Sequence, residues 1–146
     1  RAVAYLEEHG VRMLRDSTAE IGGAVPLVGR DDVTAERFGS PPRRPLGEIM
    51  KNVDRAKPVI LLDHNPRDFG PALEEGVDLQ VSGHTHHGQL WPFSLISRAI
   101  YELSWGLERR GATTFYVSCG AGTWGPPVRL GNTPEVVLLR LAFSRG

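Results

Sequence analysis

Apolar and polar residues repeat along this chain with two periods, one of helices and one of strands. The switches between them mark its elements. Residues 2–9 carry alanine, leucine and glutamate ahead of Gly10, which predicts a short helix closed by glycine. Residues 11–16 predict a short strand, and Val25–Gly29 another. Residues 30–45 are polar, charged and proline-bearing, the composition of a loop. Leu46, Ile49, Met50 and Val53 share one helical face and predict a helix over 46–53.

The middle of the chain gives the clearest pattern. Residues 57–63 contain the unbroken run Val59-Ile60-Leu61-Leu62, fit for a strand buried on both faces. Residues 69–75 predict a helix stopped by Gly76, and 77–82 a second strand. Strand, helix and strand form a compact βαβ unit whose strands should run parallel. Residues 94–103 predict a further helix. Residues 113–118 and 135–143 predict strands rich in Val, Leu, Phe and Tyr, with a long loop over 120–134 between them. The expected fold class is α/β, in a single domain over 1–146.

Charge and cysteine content narrow the function. Seventeen basic and seventeen acidic side chains cancel, which excludes a nucleic-acid binder driven by counterion release. The same balance argues against a polybasic membrane-surface protein. A single cysteine, Cys119, leaves no disulfide within the chain and no multi-cysteine metal site. It is expected as a small buried apolar residue. No apolar run approaches the ~18 residues of a membrane span, and no signal-peptide pattern is present. The chain opens on Arg1 and reads as helix from its start, the look of a piece of a longer protein.

The candidate chemistry lies in the histidines. His64 follows the first strand of the βαβ unit, and His84, His86 and His87 follow the second. Ligands of open α/β sheets bind beyond the carboxyl ends of parallel strands, so His64 and the His84/His86 pair should meet at one edge. In an extended stretch His84 and His86 point to one side and His87 to the other. Converging neutral imidazoles are a metal-site arrangement. His9 reads as a surface or satisfied core residue.

Gly83-His84-Thr85-His86, with the upstream Leu61-Leu62-Asp63-His64-Asn65-Pro66, resembles the C-terminal half of a calcineurin-like metallophosphoesterase. The family pattern runs D-x-H, G-D-x-x-D, G-N-H-[DE], a lone histidine after a strand, and G-H-x-H. This chain carries the last two. A finer resemblance is to a bacterial branch of phosphohydrolases with G-H-T-H-x-G-Q-L-W-P-F and a later G-x-W-G-P-P-x-R. Here these strings are Gly88-Gln89-Leu90-Trp91-Pro92-Phe93 and Trp124-Gly125-Pro126-Pro127-Val128-Arg129. The resemblance covers residues 25–143.

It implies part of a four-layer α/β/β/α sandwich, with this chain giving the C-terminal sheet and its helices. It implies that His64 and His84 bind one of two divalent ions and His86 the other. The remaining ligands and the family's catalytic histidine belong to the absent blocks, so no catalytic residue is expected here. Two ions ~3.5–4 Å apart clamp the oxygens of an in-line displacement and lower the pKa of water. Mixed nitrogen and oxygen ligands suit manganese, iron or zinc. The implied parent is a metal-dependent phosphoester hydrolase, a phosphodiesterase among the options. Its partners would be the phosphoester substrate and the missing N-terminal half of the domain. Members of this branch often carry an N-terminal membrane segment, so the parent is expected at the membrane or in the cytoplasm. The chain alone is expected to bind one ion weakly or none and to be inactive. An open sheet edge would allow a homodimer. Two rival readings are a non-catalytic metal-binding or scaffold module, and a one-metal structural site with His87 as fourth ligand.

Asn65, His87, Trp124 and Arg129 are candidates for supporting the ligands or touching substrate, Arg129 through a phosphate oxygen. Gly120-Ala121-Gly122-Thr123-Trp124-Gly125 matches G-x-G-x-x-G, but Pro126 and Pro127 prevent the helix a dinucleotide site requires. Trp91, Pro92, Phe93 and Leu95 are expected in the core, with an apolar wall for a lipid-like substrate as the alternative. Asp31 and Asp32 would cap a turn or support a ligand. Asp63 alternates away from His64.

Overall fold

Four parallel strands form the middle of one six-stranded sheet, with an antiparallel hairpin arm at each edge. The computed structural model describes residues 2–142. The strands are β1 (Ser17–Ile21), β2 (Val25–Gly29), β3 (Ile60–Leu62), β4 (Leu79–Ser82), β5 (Gly106–Arg110) and β6 (Thr113–Val117). Their order across the sheet is β1-β2-β3-β4-β6-β5. The helices are α1 (Ala2–Glu8), α2 (Leu46–Met50), α3 (Gly70–Glu74) and α4 (Phe93–Ile100). Two short 3-10 turns, Val33–Phe38 and His86–Gly88, follow β2 and β4.

Register decides which side chains share a face. Val28, Leu61, Gln80 and Phe115 are matched across β2, β3, β4 and β6. This row points to the core, where α2 and α3 bring Leu46, Ile49, Met50 and Ala72. Phe69 stacks on Phe115 with ring centroids 4.0 Å apart. Each fully buried side chain of this kind contributes ~1.5–3 kcal/mol. Gln80 is the polar member of the row and donates to Ser82 Oγ at 3.1 Å.

The next row, Leu27, Ile60, Leu79 and Thr114, points to the opposite face. That face is only partly covered: Leu62 is 38% exposed and Leu107 64%. The continuous apolar run of β3 had implied cover on both faces.

The βαβ unit β3-α3-β4 is parallel, as its pattern predicts. Two strand expectations are corrected. Residues 11–16 are not a strand; the edge strand is β1. The Gly22-Gly23 turn, both residues at positive φ, closes a hairpin whose register pairs Ile21 with Val25 and Ser17 with Gly29. Upstream of it Asp16 turns the chain at φ 43°, accepting from the backbone N–H groups of Asp31 and Arg44. Residues 135–142 pair with no strand either. Leu139 to Ala142 run beside Ile60, Leu79 and Leu107 on the second face. Phe143 lies outside the described residues. Strand β5 was not legible, because Glu108, Arg109 and Arg110 carry no apolar alternation; the Gly111 turn pairs it with β6.

Candidate metal centre

β2, β3 and β4 lie side by side and parallel, so the residues after their carboxyl ends meet at one edge of the sheet. Asp32 follows β2, His64 follows β3 and His84 follows β4. One ligand atom from each lies within 4.8 Å of the others. The His64 and His84 rings meet edge to face, with centroids 5.3 Å apart. Neither ring makes a hydrogen bond among the described residues.

Strand ends are held rigidly here. Asp63, 2% exposed, is paired with Arg30 at 3.2 Å and Arg43 at 3.0 Å. Burial pushes its carboxyl up, and the two guanidiniums pull it back. Its side chain points away from His64, as strand alternation predicts. Asp32 caps the Val33–Phe38 turn: Oδ1 accepts from Thr34 N at 2.7 Å and Thr34 Oγ1 at 2.6 Å. The other carboxylate oxygen makes no hydrogen bond among the described residues. Burial raises the Asp32 carboxyl, but these bonds outweigh it and hold the group below its ordinary value. His84 is pushed down by burial and then by His64. A carboxylate oxygen beside two imidazole nitrogens is the donor set that a divalent ion with nitrogen and oxygen preference requires.

The histidine string adopts an unusual backbone. His84, His86, His87 and Gln89 all have φ between 46° and 67°. Side-chain-bearing residues at positive φ are held there by surrounding structure, and such strain clusters at functional sites. The string is therefore coiled rather than extended. His86 nevertheless lines the same cleft as Asp32, His64 and His84, outside their close group. Burial and the nearby Arg129 disfavour its imidazolium; Arg129 Nη2 stands 3.5 Å from Nδ1, at the outer limit of a hydrogen bond. Gly88 is forced. At φ 73° its Cβ would stand 2.3 Å from Ser94 N.

The cleft measures about 700 Å³. Asp32, Thr34, His64, His84 and His86 give it a polar side, and Leu90, Phe93, Trp124 and Pro126 an apolar one. The two strings that carry the finer resemblance are built into each other around it. Asn132 Nδ2 donates to His86 O at 2.9 Å, and Arg129 Nη1 donates to Asn132 Oδ1 at 3.0 Å. Arg129 Nη2 also donates to Cys119 O at 2.8 Å, Gly120 O at 3.0 Å and Gly122 O.

Of the other expected residues, Trp124 lines the cleft and Arg129 stands behind His86. Asn65 is buried beside His64 but does not line the cleft, and its amide has no partner among the described residues. His87 is turned away. Its Nδ1 lies 3.0 Å from Ser104 Oγ and its ring packs against Trp105, which removes it as a fourth ligand. The positive φ of His86 and His87 is the reason. Asp31 is engaged by Arg15 in a bidentate pair and does not reach the site. Asp32 joins the close group, and the one sign of it in the sequence was the adjacent acid pair after a strand.

No family model matches the chain, and no solved structure does. Three similar proteins are informative. An uncharacterised metallophosphoesterase of Aquifex aeolicus is 38% identical over 143 residues, 97% of this chain and 54% of that protein. One of Helicobacter pylori is 36% identical over 142 residues, 95% of this chain and 38% of that protein. A transmembrane protein with metallophosphoesterase domain from Danio rerio is 29% identical over 141 residues, 90% of this chain and 32% of that protein. The chain thus spans about half, or less, of the curated relatives it matches. Identity at this level over nearly all of its length supports the calcineurin-like metallophosphoesterase superfamily as the chain's family.

Proposed function

We propose that the protein hydrolyses a phosphoester with two divalent ions, and that this chain is the C-terminal part of the catalytic domain. The observation that carries this reading is the convergence of Asp32, His64 and His84 at the ends of three adjacent parallel strands. His64 and His84, with Asp32, would hold one ion, and His86 would reach the other. Manganese, iron and zinc all suit this donor set. When bound, the ions supply positive charge to the phosphoryl oxygens and a water of lowered pKa.

The chain's own residues prepare the site. Thr34 aims the Asp32 carboxylate, and burial disfavours the protonated form of His84, which could not ligate. Thr85 Oγ1 donates to Ser104 O at 2.6 Å and fixes the loop between the two ligand histidines. Phe93 and Trp124 line the apolar side of the cleft.

The D-x-H, G-D-x-x-D and G-N-H-[DE] blocks would lie on a preceding segment, with the group that protonates the leaving oxygen. Two observations support this division. The matched relatives extend well beyond the aligned part. The second face of the sheet also leaves Leu62 and Leu107 open to another layer, as a four-layer sandwich requires. No described helix is long and apolar enough to cross a membrane. Attachment of the whole protein to a membrane is proposed from the resemblance to transmembrane relatives.

The test compares this chain with the product of the full reading frame. Both are titrated with Mn²⁺ and Zn²⁺ and assayed on bis-p-nitrophenyl phosphate. The chain is expected to bind one ion weakly without turnover, and the full product to turn over until His84→Ala abolishes it. Turnover by this chain alone, lost in His84→Ala, overturns the division. A full product with neither metal affinity nor turnover overturns the function.

A further inference from the structure

Surface helices turn their apolar side inward, and α4 does the reverse. Phe93, Leu95, Ile96 and Ile100 are each more than half exposed, while the residue facing the protein is Ser97, at 7%. The Ser97 hydroxyl is buried without a partner among the described residues. Trp91, just ahead of the helix, is 67% exposed. Trp91, Phe93 and Leu95 were expected in the core, and the structure puts them outside. A run of exposed large apolar side chains marks an interaction surface.

We propose that α4 and Trp91 form a bilayer-docking element that seats the mouth of the cleft on an anionic lipid surface. Three observations select this occupant. The apolar surface is continuous with the cleft, since Phe93 belongs to both and Trp124 stands exposed opposite it. Helix α4 packs on the His86–Gly88 turn, so the docking face and the ligand histidines share one loop. Charge is distributed to match. No Asp or Glu occurs between Asp78 and Glu102, the stretch that holds Trp91 and α4, and Arg98 falls within it. A tryptophan and an aromatic-aliphatic helix face flanked by arginine are the chemistry of an interfacial helix. The zero net charge makes the apolar insertion the anchor and Arg98 its complement. A further layer of the domain would rest on a different surface, the second face of the sheet around Leu62 and Leu107. The substrate favoured by this seating is a phosphoester presented at a membrane surface, an inference that rests on the hydrolase reading above.

Docking itself is tested without metal. The chain is sedimented with vesicles of equal phosphatidylcholine and phosphatidylglycerol. Wild type should partition onto them, and the double variant Leu95→Ser, Ile96→Ser should lose about tenfold or more of that partition. Leu107→Ser, on the other apolar surface, should leave it unchanged. His84→Ala should also bind vesicles, which separates failure of docking from failure of the metal site. A wild type that stays in the supernatant overturns the proposal, as does an equal loss in Leu107→Ser. A wild-type dimer that ignores vesicles and becomes monomeric in the double variant overturns it in favour of a second copy.

Discussion

Gln89 and Trp124 exchange two hydrogen bonds. Trp124 N–H donates to Gln89 Oε1 at 2.6 Å, and Gln89 Nε2 donates to Trp124 O at 2.8 Å. A third, to Pro126 O at 3.1 Å, completes the clamp. The glycine-rich loop after β6 is thereby fixed as the apolar side of the cleft. Gln89→Ala should cost ~0.5–1.5 kcal/mol, the net worth of such a hydrogen bond where water can reach the freed backbone groups. Amide exchange over residues 122–126 should rise well above that of β6. Unchanged protection there would show that the clamp does not hold the loop.

Asp32 and Asp31 are neighbours with different tasks. Asp32→Ala should lower the affinity of the site for Zn²⁺ or Mn²⁺ by at least about tenfold, in line with the loss of a ligand or its immediate support. Asp31→Ala breaks a solvent-screened pair with Arg15 and should leave metal affinity alone. Calorimetric titration of the two variants separates them, and equal losses would remove Asp32 from the site.

Asp63 balances two guanidiniums at the end of β3. Asp63→Ala leaves Arg30 buried and unpaired and should destabilise the fold by ~3–5 kcal/mol. Urea unfolding measures it. A loss under ~1 kcal/mol, the level of an exposed pair, would mean that solvent reaches this cluster.

Glu135 gathers hydrogen bonds from Cys119 N, Ser118 Oγ, Tyr116 Oη and Trp105 Nε1, each at 3.0 or 3.1 Å. Burial raises its carboxyl, but these donors outweigh that and hold it below its ordinary value. The stability it contributes is full above the ordinary glutamate pKa of ~4.3 and is lost as pH falls through the lower folded value. Tyr116 is pushed up to about 12, by burial first and then by Glu135. Its contribution is full below the ordinary ~10 and is lost as pH rises through about 12. Thermal melts across this range should fall at both ends. Glu135→Gln should flatten the acid limb, and Tyr116→Phe should remove a late-titrating phenol from the absorbance at alkaline pH. A Tyr116 that ionises with the other phenols would refute the contact.

The β3-α3-β4 unit and its parallel pairing were legible because apolar runs, helix spacing and glycine stops are local signals. The same locality put His64 and His84 at one sheet edge. Cys119 was read correctly as buried, and Asp63 as pointing away from its neighbour. Strands β1 and β5 were missed because edge strands carry little apolar alternation, although Gly22-Gly23 between Ile21 and Val25 was a hairpin signal.

By itself the sequence determined the α/β class, the kinship and the histidine pair across the βαβ unit, since each depends on residues near one another in the chain. Tertiary structure decided the rest. Asp32 joins His64 and His84 only because β2 pairs with β3 at Leu27 and Ile60, a register that no local pattern encodes. His87 leaves the site because the backbone around it coils at positive φ instead of alternating. Helix α4 keeps its apolar side outward because its place on the His86–Gly88 turn, rather than its own periodicity, determines which side is covered.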